Sequence, residues 1–316
     1  VPERALTNHD LEKMVDTSDE WIVTRTGISE RRIVAPDEAT SDLAIQAARQ
    51  AVADAGVDPA DLDVVITATM SADMTFPSTG CLVQGALGAV NAGAFDLSAA
   101  CSGYGYALAT AQGMINSGLV RHALVVGAEA LSRITDYEDR GSCILFGDGA
   151  GATVLSACPA GSRGEVLFTT IGADGANWQS MSLPGGGSRE PASHESVDRR
   201  RHYIHLRGRE VFNLAVRRIV DIIGECVEAC GLTPDDVAMI VPHQMNLRIM
   251  KAATERLGLS MDKLFVNIDR YGNTGAATVP VALSEAKADG CLEPGDIVVL
   301  VTFGAGLTWS GAVLRW

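Results

Sequence analysis

The sequence predicts an α/β protein assembled from two copies of one helix-and-strand unit, and three observations carry that reading. Alanine-rich amphipathic stretches alternate with short apolar runs, the pattern of parallel sheets covered by helices on both faces. The same order of elements occurs twice at an offset of about 170 residues, which indicates a duplicated unit rather than a solenoid, whose periods are roughly 20–50 residues. Composition agrees: of 316 residues, 47% are hydrophobic, only 5% are aromatic and 33 are glycine, so that layers can pack closely.

In the first copy, residues 43–70 read as an amphipathic helix, a turn at Ala55-Gly56-Val57-Asp58-Pro59 and the strand Val64-Val65-Ile66-Thr67-Ala68-Thr69. A second apolar strand, Gly93-Ala94-Phe95-Asp96-Leu97, runs through the small residues Ser98-Ala99-Ala100 into a helix that begins after Cys101. Residues 119–127 form a further strand. Residues 174–202 differ in composition; 185–196 read as a flexible polar surface loop, and Arg199-Arg200-Arg201 as a solvated face. Residues 214–245 then repeat the plan of 43–70, and 292–300 match 119–127. The division falls into halves at residues 1–161 and 162–316.

The duplication sets Cys101 opposite Asn273, each at an elbow leading into an alanine-rich helix. It sets His243 in the loop that matches the one after residues 64–69. Ligands of parallel units gather beyond the carboxyl ends of strands, so these three residues are expected in one cleft between the halves.

Bulk properties exclude several classes of function. A formal charge of −14 is the wrong sign for a nucleic-acid binder. No apolar run has the length of a membrane span, and no signal segment is present. Seven cysteines without framework spacing read as reduced thiols of a cytoplasmic protein. Cys226 and Cys230 stand one helical turn apart with no second pair of ligands, so core packing is favoured over zinc and no metal is expected. Gly147-Asp148-Gly149-Ala150-Gly151 lacks dinucleotide-binding spacing and reads as packing.

Cys101 carries the sharpest chemical signal. A buried packing role is the common fate of a free cysteine. At a strand-to-helix elbow, however, exposed N–H groups and the helix dipole favour an anion, so a lowered pKa and a nucleophilic thiolate are expected. Small neighbours leave room for a substrate carbonyl to approach the backbone.

Ordered blocks along the whole chain carry a resemblance. They include Asp16-Thr17-Ser18-Asp19-Glu20-Trp21-Ile22, Thr24-Arg25-Thr26-Gly27-Ile28, Ala99-Ala100-Cys101-Ser102-Gly103 and Phe146-Gly147-Asp148-Gly149-Ala150-Gly151. Later come Val241-Pro242-His243-Gln244 with Asn246, Tyr271-Gly272-Asn273-Thr274-Gly275 and Phe303-Gly304-Ala305-Gly306-Leu307-Thr308-Trp309. The chain resembles the β-ketoacyl-acyl carrier protein synthase III family, initiating condensing enzymes of fatty-acid synthesis with a thiolase-like fold. That resemblance implies two duplicated α/β halves in a five-layered αβαβα arrangement. It implies that Cys101 is acylated by an acyl-coenzyme A primer, and that malonyl-acyl carrier protein then loses carbon dioxide and attacks the thioester. His243 and Asn273 become neutral N–H donors to the enolate, and the backbone N–H groups of Cys101 and Ala305 the oxyanion hole of the first step.

The resemblance further assigns Trp21 and Arg140 to the adenine of coenzyme A, Arg25 to phosphate, and Asn246 with Gly208 to the pantetheine tunnel. Phe76, Leu131 and Phe146 line the acyl pocket, Phe76 reaching across a homodimer interface into the neighbouring subunit. No cofactor is implied, since acyl-coenzyme A is a substrate. For carrier docking it points to Arg248; Arg217, Arg218, Lys251 and Arg256, with Arg207 and Arg209, form the surrounding basic stretch, and Asn213 stands where relatives carry lysine. Family members begin with a β-strand ahead of the Pro2 segment, so one is expected before Val1. A related acyltransferase or condensing enzyme of specialised metabolism is the alternative; a non-catalytic partner subunit is disfavoured by the intact Cys101.

Overall fold

A computed structural model describes residues 1–162 and 164–316, with the side chain of Arg209 also outside the description. Two four-stranded sheets form its frame. The first holds β1 (Val64–Ala68), β2 (Gly93–Leu97), β3 (His122–Ala130) and β4 (Asp148–Ser156), in the spatial order β2-β1-β3-β4. The second holds β5 (Glu165–Ala173), β6 (Val237–Pro242), β7 (Ile297–Gly304) and β8 (Thr308–Arg315), in the order β6-β7-β8-β5.

The two sheets share a plan. β1 lies parallel to β3, as β6 does to β7; β4 runs antiparallel to β3, as β8 does to β7. Both sheets are therefore mixed, which corrects the all-parallel expectation. Only residues 305–307 join β7 to β8, and a parallel pairing needs a crossover of a dozen or more residues. The five residues of β1 are buried on both faces, as its unbroken apolar run demands.

The helices of eight or more residues are α1 (Asp19–Thr26), α2 (Thr40–Ala55), α3 (Thr79–Leu87), α4 (Gly103–Asn116), α5 (Gly208–Ala229), α6 (Leu247–Leu257) and α7 (Thr278–Ala288). α2 and α3 cover the outer face of the first sheet, and α5 with α6 that of the second. Between the sheets lie α4 and α7, giving five layers. The central helices suit that place because small residues dominate them: Ala107, Ala111, Ala282 and Ala286 are fully buried, which lets two sheets close on one helix layer. Cys226, on α5 itself, is buried in the core that this helix covers, as the packing reading requires.

The segment 174–206 is more structured than its polar composition suggests. It holds a 3-10 turn at Gly175–Ser180, a short ribbon pairing Met181–Ser182 with His205–Leu206, and a helical turn at His194–Asp198. Arg200 ties the segment to Asp136 and Glu138, while Arg201 pairs with Glu190 and Arg199 with Glu195 inside it, so the three consecutive arginines are more than a solvated face.

Candidate active site

After β2 the chain turns sharply. Ala100 adopts the left-handed conformation at φ +48°, and a 3-10 turn at Ala100–Ser102 feeds directly into α4. That conformation costs an L-residue about 1 kcal/mol, so the surroundings must hold it. Thr308 Oγ1 lies 2.9 Å from the carbonyl oxygens of both Ala99 and Ala305, tying the elbow to the end of the second sheet. Gly304 lets the two backbones meet: a Cβ there would stand 2.8 Å from the Cys101 nitrogen.

Cys101 is 3% exposed. Burial pushes its thiol up to about 12, the Glu129 carboxylate adds to the rise, and only its own backbone N–H opposes. The expected lowered pKa is therefore corrected: exclusion of water shifts Cys101 toward the neutral thiol.

His243 directly follows β6, and its N–H donates to the Val301 carbonyl at 2.8 Å, continuing the pairing beside β7. The side chain is 1% exposed, burial lowers its pKa to about 3, and Nδ1 has no hydrogen-bond partner among the described residues. The imidazole is thus neutral. Asn273 sits in a turn after the short helix Ile268–Tyr271 rather than at a strand end, which corrects its expected placement. It is held in a bridge with Phe146, its N–H donating to Leu145 and its carbonyl accepting from Gly147. The side-chain Oδ1 accepts the Gly275 N–H at 2.9 Å, which orients the amide and leaves Nδ2–H₂ without a protein acceptor among the described residues.

The turn Gly275–Ala277 feeds α7 as Ala100–Ser102 feeds α4, and the two turns pack together. The counterpart of Cys101 is therefore Ala276, with Asn273 three positions earlier. The fold brings together the Cys101 elbow, the Asn273 turn and the end of β7, beside which β6 delivers His243.

Leu131 and Phe146 are fully buried in one cluster with Ile204, flanked by Met70, Ile134, Leu145 and Met181. Phe76 does not join them within one chain; it is 81% exposed. Sequence reasoning missed Ile204 and Met181, whose only signal was an apolar side chain in a polar stretch. It likewise missed Thr308.

At the surface, the Arg140 guanidinium stacks 5.1 Å and that of Arg25 5.7 Å from the Trp21 ring centroid. Asn246 Nδ2 donates to the Arg25 carbonyl at 3.1 Å while its Oδ1 caps α6 through the Arg248 N–H. Gly208 opens α5 and is exposed. Arg217, Arg248, Lys251 and Arg256 are exposed on α5 and α6, and Asn213 is exposed beside them. Arg218 stacks 4.0 Å over the Trp309 ring, and the Arg248 guanidinium lies 5.7 Å from the Phe212 ring centroid. Arg207 lies 3.9 Å from Glu210, and Arg209 falls outside the described side chains. Among the described residues no group of three or more His, Cys, Asp or Glu could hold a metal ion, and no helix is long and apolar enough to cross a membrane.

Comparison with known proteins places this arrangement. The family profile of 3-oxoacyl-[acyl-carrier-protein] synthase III matches residues 95–175, and that of its C-terminal part matches residues 227–316. The chain is 53% identical over 316 residues to the β-ketoacyl-[acyl-carrier-protein] synthase III of Caldanaerobacter subterraneus, covering 100% of this chain and 95% of that one. To the corresponding protein of Symbiobacterium thermophilum it is 54% identical with the same coverage. The crystal structure of 3-oxoacyl-[acyl-carrier-protein] synthase III from Aquifex aeolicus superposes with a TM-score of 0.92 at 44% identity, covering 100% of this chain and 97% of that one. The chain belongs to the β-ketoacyl-[acyl-carrier-protein] synthase III family, acyltransferases that perform the initiating condensation of fatty-acid synthesis.

Proposed function

We propose that this enzyme performs its condensation through Cys101, His243 and Asn273, with acyl-coenzyme A as primer and malonyl-acyl carrier protein as extender. The observation that carries the reading is the pairing of a buried, neutral His243 with an Asn273 amide whose Oδ1 is already engaged. Both present N–H groups without charge, as stabilisation of a developing enolate oxygen requires. Cys101 sulfur attacks the primer carbonyl, the backbone N–H groups of Cys101 and Ala305 receive the oxyanion, and the thioester bond to coenzyme A breaks. The Cys101 proton leaves with the coenzyme A thiolate, so a thiol at rest suffices. Malonyl-acyl carrier protein then loses carbon dioxide, His243 and Asn273 hold the enolate oxygen, and its carbon attacks the acyl-cysteine; the carbon–sulfur bond breaks to release the β-ketoacyl product, and the Cys101 thiolate takes a proton from solvent to return to the thiol.

Coenzyme A is assigned to Trp21, Arg25 and Arg140, with Asn246 and Gly208 along the tunnel. An adenine stacked on Trp21 requires Arg140 to swing outward from its present position over the ring. Leu131 and Phe146 bound the primer pocket. Phe76 completes it from a second copy in a homodimer: the edge strand β2 has unpaired hydrogen-bonding groups, and Phe95 on it and Val90, Met74 and Phe76 nearby are exposed. Carrier docking is assigned to Arg248 with Arg217, Lys251 and Arg256; Arg218, stacked on Trp309, is the weakest of that set. The seven free thiols fit the cytoplasm.

The test is intact mass spectrometry with peptide mapping after incubation with acyl-coenzyme A. The adduct should lie on Cys101 and be lost in Cys101→Ser; an adduct on another cysteine with Cys101 bare sinks the mechanism. Sedimentation of a stable, fully active monomer refutes the shared pocket.

A further inference from the structure

Glu129, next to last in β3, is wholly buried and makes no ion pair among the described residues. Its carboxyl group accepts from the Ser71 hydroxyl at 2.5 Å, from the Met70 N–H at 3.3 Å, and from the Thr69 hydroxyl and the Ala276 N–H at 3.4 Å. Burying an ionisable group without a counter-charge is costly, and four donors offset that cost only while the loops supplying them stay in place. Those loops matter. Ala276 lies in the turn that follows Asn273, and residues 69–71 open the loop that runs on to Phe76. Gly275, at φ +56°, packs so closely that a Cβ there would stand 2.9 Å from Glu129 Cγ. The Glu129 carboxylate is also the second cause, after burial, of the raised Cys101 pKa. The other neighbours, Thr69, Met70, Ser71, Gly275 and Ala276, carry no charge.

The geometry points to Glu129 as a positioning residue for the condensation, one that clamps the Asn273 turn to β3 and sets the electrostatic environment of Cys101. This rests on the roles given above to Cys101 and Asn273. Two substitutions divide the two actions. Glu129→Gln keeps the length of the side chain and removes its charge; Glu129→Asp keeps the charge and draws it back from the Ala276 N–H.

The experiment measures iodoacetamide alkylation against pH, with the adduct mapped, alongside carbon dioxide release from malonyl-acyl carrier protein. With Glu129→Gln the rate–pH profile of Cys101 alkylation should move about one unit to lower pH, a gain of about tenfold in rate on the rising limb. With Glu129→Asp that profile should stay at its parent position while decarboxylation falls by about tenfold or more, because the Asn273 amide is no longer held. Alkylation in the parent at a residue other than Cys101 overturns the site reading and this proposal with it. Alkylation at Cys101 with an unshifted profile in Glu129→Gln, or equal loss of decarboxylation in both variants with no shift, overturns the role of Glu129 alone.

Discussion

Lowering the pH from about 7 to about 5 should pull the stability of this enzyme in two opposite directions, which two substitutions separate. Burial takes the His243 imidazole from 6.5 down to about 3. The stability linked to it is present above 6.5 and is lost as the pH falls toward 3, because the unfolded chain binds this proton first. One and a half pH units at about 1.4 kcal/mol each amount to about 2 kcal/mol lost by pH 5. Glu129 has the opposite sign. Burial raises its carboxyl from 4.5 to about 7, so the linked stability is full below 4.5 and is lost as the pH rises through 7. Acidification over the same interval therefore returns about 2 kcal/mol. In the parent protein the two nearly cancel. Relative to it, His243→Asn should gain about 2 kcal/mol between the two pH values, and Glu129→Gln should lose about as much. Urea unfolding midpoints at both pH values, converted with a common slope, read these differences directly. A His243→Asn profile parallel to the parent would mean that the native imidazole titrates freely, which refutes a neutral His243 held by burial.

Three further outcomes are expected. His243→Ala and Asn273→Ala should each cost about 2.7–4 kcal/mol in malonyl decarboxylation and much less in self-acylation, measured as separate half-reactions; equal losses would mean that both residues merely support Cys101. Gly304→Ala places a Cβ 2.8 Å from the Cys101 nitrogen, a backbone atom that cannot swing aside, so acylation should be lost in a chain that still folds by circular dichroism. Full acylation by that variant would show the close approach to be dispensable. Arg248→Glu should raise KM for malonyl-acyl carrier protein with priming by acyl-coenzyme A nearly unchanged, and added salt should weaken the carrier step, since exposed charges are screened within about 8–10 Å. Unaltered carrier kinetics and salt dependence would move the docking site elsewhere.

Much of this protein is legible in its sequence. Cys101 stood out because a strand, three tiny residues and an alanine-rich helix leave an elbow no other local reading explains as well. The duplication was visible because both copies keep the same order of helix, turn and buried strand. What the chain could not reveal alone depends on segments far apart in sequence. Strand direction in each sheet follows from connection length and pairing partners, and apolar periodicity records only which faces are covered. The charge state of Cys101 depends on how completely the packed elbow excludes water from it, with the Glu129 carboxylate adding to the rise, and neither is visible in the local sequence. Ile204 and Met181 join Leu131 and Phe146 because a polar segment, tied down by the Arg200–Asp136 pair and by the Ile204 N–H donating to the Ile134 carbonyl, lies against them. Local pattern marked Cys101 as the candidate nucleophile. Burial, a sum over contacts from both halves, decided the state in which the fold holds it.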